Sequence, residues 1–460
     1  MKNRCIKHWV KDYRDYFQPK MVAIFFWAFA SGIPLFLVAT TLSARLLQEG
    51  FSLEKIGFFS LAALPYTLKF IGSPFIERFS IPVLTRYVGH ARAWMLVAMS
   101  GTILSLIVVA NIDIHGGKNV YELFSAVFCA MLFCAINDIA EPELRIGLLD
   151  SHELALGTAC YTNGYCLGEL MGSGGALMLA GLYGWESAYL MITSLMFLGI
   201  ISISLKKHNA RLAISNDAAD DQKELFSFRS IKNLFESIVK AVKSLLEFPA
   251  FYWIFSTVIL YYASYYISFM MQNPFYIQAG FSITQIGALK GIPGGCLLIL
   301  GGILGGPLCK RYGVTKILFI CAIFYMMNIF LQAELASLAN GHDFQHRKKI
   351  MEFIFGFTIL FNSFMDGLSV VGYVTIIASL SNSSYVTTQY ALLTSLLALS
   401  RILFSSIGGY LAELLKWIQF FILNGLFMIP VLFLIIKIHK MNPNFKREET
   451  SYEDNSSFVG

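Results

Sequence analysis

Charge is scarce in this sequence. Only 14% of its 460 residues are Asp, Glu, Lys or Arg, while 56% are hydrophobic; a soluble globular chain carries about 25% charged residues. That balance argues against catalysis in water as the main occupation. No GxxxxGK[ST] phosphate loop is present, so nothing supports ATP-driven work by this chain. The Gly-rich run Gly291 to Gly306 lies in an apolar stretch without the Lys-Ser/Thr ending, and close helix packing accounts for it better. No convincing His–carboxylate pattern marks a membrane-bound acyl- or glycosyltransferase, so the protein is not expected to be an enzyme. The eight cysteines are Cys5, Cys129, Cys134, Cys160, Cys166, Cys296, Cys309 and Cys321. None forms a CxxC pair, and their spacing suggests neither a disulfide framework nor a zinc site. No metal and no cofactor are expected. The stretch Met1 to Lys20 lacks a short apolar core and a cleavage site, so it reads as a retained cytoplasmic tail, not a removable signal peptide. The net charge of +6 is modest and fits basic cytoplasmic loops rather than nucleic-acid binding.

The apolar residues fall in blocks of about twenty, the length that spans a bilayer as a helix. The spacing predicts spans at about Met21–Leu42, Ile56–Ile76, Ala93–Asn111, Ala126–Arg145, Leu156–Leu182 and Trp185–Leu205. Six more follow at about Ala250–Tyr276, Ile283–Leu308, Val314–Leu335, Met351–Leu380, Thr387–Leu414 and Trp417–Ile438. The expected fold is an all-α membrane protein with twelve transmembrane helices in two six-helix halves. Its divisions are an N-terminal cytoplasmic tail (1–20), a first bundle (21–205), a linker (206–248), a second bundle (249–438) and a C-terminal cytoplasmic tail (439–460). Arg78, Arg86, Arg92, Lys310, Arg311, Lys316 and the basic linker place those loops in the cytoplasm. Arg347, Lys348 and Lys349 fall on the outer side against the rule and are outvoted. Ser73–Arg86 and Gly306–Lys316 end the second span of each half in a similar charged turn. Related halves place a small-molecule site between them near the midplane.

The segment AVFCAMLFCAINDIAEPELR, residues 126–145, begins as a plain membrane run and then gathers Asn137, Asp138, Glu141, Glu143 and Arg145. Ionisable groups within a span are costly and mark substrate or proton pathways. Burial favours a protonated carboxyl and a nearby cation favours the ionised one, so a carboxyl between the two can load a proton from one face and release it at the other. Asp138 is the leading proton-coupling candidate. Its alternative is a permanent ion pair with Lys69 or Arg145. Glu141, one turn on, shares a proton with Asp138 or is simply solvated at the membrane edge. Glu169 and Asp366 are further acidic candidates. Lys69, Arg145, Lys290 and Arg401, with the polar residues Asn137, Asn362 and Gln389, are candidates for binding an anionic substrate; snorkelling or structural pairing is the alternative for the cations. Tyr261, Tyr262, Tyr265, Tyr266 and Tyr276 are placed either to stack on sugar rings or to pack helices.

These residues also carry a family resemblance. SGIPL (31–35), IGFFSLAALPYTLKFIGSPFIERF (56–79), NDI (137–139), GYCLGELMGSGG (164–175), Gly184–Trp185 and TQYALLTSLLALSR (388–401) resemble the AmpG muropeptide permeases of the major facilitator superfamily, in the same order along nearly the whole chain. The resemblance implies the twelve-helix fold of that superfamily, cytoplasmic termini, and proton-driven import of anhydromuropeptides across the bacterial inner membrane, a step of peptidoglycan recycling. The partners so implied are a small-molecule substrate, protons and the lipid bilayer, for a chain acting as a monomer. Lys69, Asp138 and Arg401 match the family directly, and Lys290 within one position. Tyr165 lies at the family's Tyr-Arg, where the second residue is Cys166. Other family charges are replaced by Pro142, Gly147, Tyr262 and Tyr265. A more distant branch of the family includes acetyl-CoA transporters. The lost charges and surviving cations leave open the same carrier with another anionic solute, such as acetyl-CoA or a phosphorylated metabolite.

Overall fold

A computed structural model describes residues 17–150, 153–204, 243, 251–340, 344–380 and 386–441. The tail before residue 17, the linker apart from residue 243, and the tail after residue 441 lie outside the described residues. Among the described residues every regular element is a helix. Hydrocarbon offers no partner for backbone N–H and C=O groups, so a spanning segment must satisfy them internally. The spans in chain order are α1 (Pro19–Gln48), α2 (53–78), α3 (His90–Asn111), α4 (Val120–Leu148), α5 (154–183) and α6 (Trp185–Ser204). They continue with α7 (Phe251–Gln278), α8 (Ile283–Tyr312), α9 (Val314–Ala339), α10 (Phe344–Leu380), α11 (386–415) and α12 (417–441). Among the described residues nine stretches qualify as apolar spans by length and composition, and one of them holds both α11 and α12, which meet at Lys416 (φ 57°, ψ 164°). The interrupted helices α2 and α5 complete the twelve. Among the described residues the expected all-helical architecture of twelve spans is therefore what the chain adopts.

The interruptions have local causes. In α1, Pro34 cannot donate a backbone hydrogen bond, and a wide π turn follows at Leu37–Thr41. A second π turn, Met171–Gly175, interrupts α5. The two meet: Thr41 Oγ1 donates to the Gly172 carbonyl at 2.7 Å. α2 breaks into Leu53–Phe58, a 3₁₀ stretch Phe59–Ala63, Leu64–Thr67 and Lys69–Arg78. These breaks set the direction of the side chains that follow them.

The chain packs as two compact units. The first comprises the described residues of Met1–Ile231 with Tyr266–Gly295 and Ala398–Trp417. Its tightest seam joins α1 and α5. A Cβ on Gly164, Gly168 or Gly172 would strike the carbonyl of Phe25, Phe29 or Ile33, and one on Gly32 the carbonyl of Tyr165. Small residues let helix backbones touch where lipid offers no hydrophobic drive to associate. The second unit comprises the described residues of Lys232–Tyr265, Cys296–Leu397 and Ile418–Gly460. There Gly301 and Gly367 bring α8 and α10 together, and Ser264 and Asn424 exchange hydrogen bonds between α7 and α12 at 3.0 Å each way.

The first unit also contains an internal repeat. Residues 48–57 read QEGFSLEKIG and residues 278–287 read QAGFSITQIG. Both copies build the same turn. Gly50 and Gly280 take φ of 85° and 95°, open only to glycine without strain. Ser52 and Ser282 cap the next helix by accepting from the amides of Lys55 and Gln285. Gln48 accepts from the Trp185 indole at 2.9 Å, and Gln278 from the Trp417 indole at 2.7 Å. Trp185 opens α6 and Trp417 opens α12, so the repeat relates corresponding helices of each set of six.

Arg45, near the end of α1, is a buried structural cation. Its guanidinium donates to the carbonyls of Val109 (2.7 Å), Ala110 (3.4 Å) and Ile112 (3.2 Å) at the end of α3, and lies 5.2 Å from the Tyr189 ring centroid. A cation there satisfies carbonyls that the helix itself leaves unpaired. Arg45→Met keeps most of the volume and removes every donor. It is expected to destabilise the fold by about 3 kcal/mol, read as a lower unfolding temperature in detergent, with Arg45→Lys recovering part of the loss.

Candidate functional site

The acidic segment of α4 lies in the first unit, and the break in α2 supplies its partners. Tyr66 lies in the short helix Leu64–Thr67 and Lys69 opens the next. Both reach the same carboxylate oxygen. Tyr66 donates its hydroxyl to Asp138 Oδ2 at 2.6 Å, and Lys69 Nζ lies 3.2 Å from that atom. The ammonium also stands 4.7 Å from the Tyr66 ring centroid, within cation–π range. The Asp138 side chain is 13% exposed and Lys69 38%, so water reaches the pair.

One turn on, Glu141 pairs with Arg145 on its own helix, Nε to Oε1 at 3.2 Å, and its side chain is only 3% exposed. It is a buried ion pair, not a solvated acid at the membrane edge. Trp27 of α1 lies against its carboxylate. Arg145 stacks over Tyr161 at 4.7 Å, Tyr161 stacks on Tyr165 at 6.1 Å, and Tyr165 meets Phe36 edge-on at 6.4 Å. A continuous aromatic path thus runs from the α4 acids along α5 to α1. It ends at Arg401 of α11, whose guanidinium is 6.0 Å from the Phe36 ring centroid. Glu169 of α5 lies within the field of Arg401. Asn137 points elsewhere: its amide donates to Ser31 Oγ at 2.8 Å and Ser31 donates to the Trp27 carbonyl at 2.9 Å, tying α4 to α1 in a buried contact.

Lys290 ends the first helix of α8. Its ammonium donates to Asn273 Oδ1 at 2.6 Å, and Asn273 passes a hydrogen bond on to the Thr40 carbonyl within the α1 π turn at 2.8 Å. Thus Lys290 steadies the widened turn of α1. At the end of α4 near the basic loops, His90 and Glu143 approach to 3.2 Å.

Asp366 belongs to the second unit. Its Oδ2 accepts from Tyr265 at 3.1 Å and from Asn362, one turn earlier on α10, at 2.9 Å. Asn362 Oδ1 in turn accepts from Asn328 of α9 at 3.3 Å. Tyr265 thus acts as a neutral donor to this acid. Tyr261 is buried and packs on Tyr373 with centroids 4.3 Å apart, and Tyr276 is also buried. Helix packing therefore accounts for these two rings. Gln389 lies in α11, and its side chain lies outside the described ones.

Sequence reasoning named Asp138 and Lys69 but not Tyr66, Trp27 or Arg45. Tyr66 had a signal: it stands three residues before Lys69, the spacing that shares a helix face. Trp27 and Arg45 had none, because their partners lie on α4 and α3.

The family model of the Major Facilitator Superfamily matches residues 23–331 and 254–458. A Rickettsia prowazekii (strain Madrid E) protein named as a transporter, AmpG 3, is 31% identical over 435 residues, covering 93% of this chain and 98% of that protein. The chain belongs to the major facilitator superfamily, in its AmpG family. The anhydromuropeptide permease of Escherichia coli (strain K12) is 26% identical over 447 residues, covering 94% of this chain and 83% of that protein. Among solved structures, the nucleoside transporter NupG aligns with a TM-score of 0.65 at 12% identity, over 92% of this chain and 99% of its own. A peptide transporter POT mutant in complex with sulfate also gives 0.65, at 13% identity, over 92% and 94%. At such identities the likeness is one of fold. This AmpG-family chain is thus a multi-pass membrane transporter of small molecules and not an enzyme.

Proposed function

We propose that the protein imports anhydromuropeptides across the bacterial inner membrane in symport with protons, with Asp138 as the coupling carboxyl. The observation that carries this reading is the pair of donors on Asp138 Oδ2, a phenol at 2.6 Å and an ammonium at 3.2 Å. A lysine alone would lock the acid as an ion pair. The phenol gives the carboxyl a neutral hydrogen-bond partner that persists when a proton neutralises it and Lys69 turns away. The muropeptide class comes from the named E. coli relative. In this reading both termini are cytoplasmic, the bundles 21–205 and 249–438 move about the linker 206–248, and the chain works as a monomer. Glu141, Glu169 and Asp366 are the remaining coupling acids, and Lys69, Arg145, Lys290, Asn362, Gln389, Arg401 and Tyr165 the remaining substrate-side residues; Asn137, committed to Ser31, is a packing residue.

The test is uptake of radiolabelled N-acetylglucosaminyl-anhydromuramyl tripeptide into proteoliposomes. Uptake is expected with an inward proton gradient and to collapse when an ionophore dissipates it. Gradient-independent equilibration would sink the coupling, and no uptake of any anhydromuropeptide by folded protein would sink the substrate. A second reading, the same carrier with an acetyl-CoA-like or phosphorylated solute, is favoured by the neutral Tyr262 and Tyr265, where the family resemblance implies charges. Competition by CoA esters but not by anhydromuropeptides would select it.

A further inference from the structure

The end of α12, in the second unit, has two distinct faces. On one, Met428, Val431, Ile435 and Ile438 are buried, and His439 Nδ1 lies 2.9 Å from Thr315 Oγ1 at the start of α9. That packing fixes the rotation of the helix. At 3.6 residues per turn the opposite face then presents Phe433, Ile436, Lys437 and Lys440. All four are exposed, Phe433 at 68%. Apolar side chains exposed on a span meet lipid tails, which are as apolar as they are.

Lys437 is held in place on this face. Its ammonium sits 3.2 Å from the ring centroid of Trp253, at the start of α7 in the same unit. Lysines near the ends of spans commonly snorkel toward water. Cation–π attraction instead pins this one at the depth of a tryptophan, a residue that settles at the level of the lipid headgroups. The ring covers one side of the ammonium, and the N–H donors on the other side point away from it. Lys440 follows three residues later on the same face, with the two Cβ atoms about 5–6 Å apart. A phosphodiester can offer one oxygen to each ammonium.

No described carboxylate of the second unit competes for these lysines. Its described acids are Glu334, Glu352 and Asp366. Glu334 stands near the end of α9 and Glu352 near the start of α10, both at the opposite end of the unit, and Asp366 accepts from Tyr265 and Asn362. Lys310, Arg311 and Lys316, where α8 ends and α9 begins, are exposed as well. Among the described residues this end of the unit therefore carries charge of one sign. A zwitterionic headgroup would bring a further ammonium to it and be repelled; an anionic headgroup brings only the compensating charge.

We propose that this face is a binding site for an anionic phospholipid, its phosphate between Lys437 and Lys440 and its acyl chains along Phe433 and Ile436, in the leaflet that the basic-loop rule makes cytoplasmic. Trp253 is the positioning residue for Lys437.

The test uses the full chain in a neutral detergent, melted with increasing phosphatidylglycerol, phosphatidylethanolamine or soluble glycerol phosphate. Each lysine near an anionic surface is worth about fivefold, so phosphatidylglycerol is expected to half-saturate the rise in unfolding temperature at a concentration about 25-fold lower than phosphatidylethanolamine. Lys437→Gln/Lys440→Gln is expected to bring the two lipids together. Lys310→Gln/Arg311→Gln removes the same charge from the end of α8 and is expected to keep most of the preference. Trp253→Leu keeps both lysines and is expected to weaken the preference; an unchanged preference overturns the role given to Trp253. Equal wild-type response to the two lipids, or a preference that survives Lys437→Gln/Lys440→Gln, overturns the site. Equal loss in both double variants also overturns it, because a diffuse basic surface then suffices. Stabilisation by glycerol phosphate as strong as that by phosphatidylglycerol overturns the lipid as occupant. If Lys437→Gln/Lys440→Gln does not fold, wild type in about 1 M salt still decides: screening is expected to erase the preference, and a preference that salt leaves unmoved overturns the proposal.

Discussion

Proteoliposomes carrying Asp138→Asn are expected to equilibrate substrate without accumulating it. Asparagine has nearly the shape of aspartate, and its amide oxygen still accepts from the Tyr66 hydroxyl, which now sits 2.6 Å from Asp138 Oδ2. It cannot take up a proton, and it cannot neutralise Lys69. One coupled proton under a gradient of one pH unit supplies about 1.4 kcal/mol, or about tenfold accumulation. Wild type is expected to reach that level and the variant to stop at equal concentrations. Substrate-for-substrate exchange, which needs no net proton movement, is expected to persist in the variant. That persistence separates lost coupling from lost folding. The folding cost is small, because the Lys69 side chain left without its anion is 38% exposed and water solvates it. Gradient-driven accumulation that survives in Asp138→Asn would move the proton to Glu141, Glu169 or Asp366. Tyr66→Phe supplies the companion measurement: the carboxyl remains and only the neutral donor goes, so accumulation is expected to persist with a shifted pH profile.

Gly168→Val is expected to yield no monodisperse protein at all. The first side-chain carbon at residue 168 would meet the Phe29 carbonyl, the Gly32 Cα at 3.1 Å and the Ile33 amide at 3.1 Å. These are backbone atoms inside a helix and have no rotamer to move to. α5 must back away from α1, and the neighbouring contacts at Gly164, Gly172 and Gly32 open with it. Overpacking a core commonly costs about 1–3 kcal/mol; here the strain spreads along a whole helix seam, so the loss is expected at or above that range. Size-exclusion profiles of a fluorescent fusion check it. Gly356→Ala on α10 is the control. Nothing lies within 4 Å of its added carbon, so the profile and the melting temperature are expected to hold or improve. A normal profile for Gly168→Val would mean that the α1–α5 seam is looser than drawn.

Much of the fold was legible along the chain, and the reason is the solvent. A helix must cross about 30 Å of hydrocarbon with its backbone satisfied. Length and apolarity alone therefore locate spans such as His90–Asn111 and Val314–Ala339. The interruptions were less legible. Pro34 and Pro65 were visible as residues, but the π turns at Leu37–Thr41 and Met171–Gly175 leave no periodic signature. The repeat of Gln48–Gly57 in Gln278–Gly287 was present in the letters and needed no structure to be found.

The site divides in the same way. The cost of burying a charge is a local property, so the sequence by itself determined that Lys69, Asp138, Glu141, Glu169, Lys290, Asp366 and Arg401 must serve something within the spans. It left Asp138 a choice between Lys69 and Arg145. Only the tertiary structure decided it, giving Lys69 and Tyr66 to Asp138 and Arg145 to Glu141. It also decided that Arg401 is ringed by Phe36, Tyr266 and Phe269. Each partner comes from a helix distant in sequence, and its direction depends on helix rotation and on breaks such as the one at Leu68. A one-dimensional pattern records which side chains must find partners; only packing fixes which ones they find.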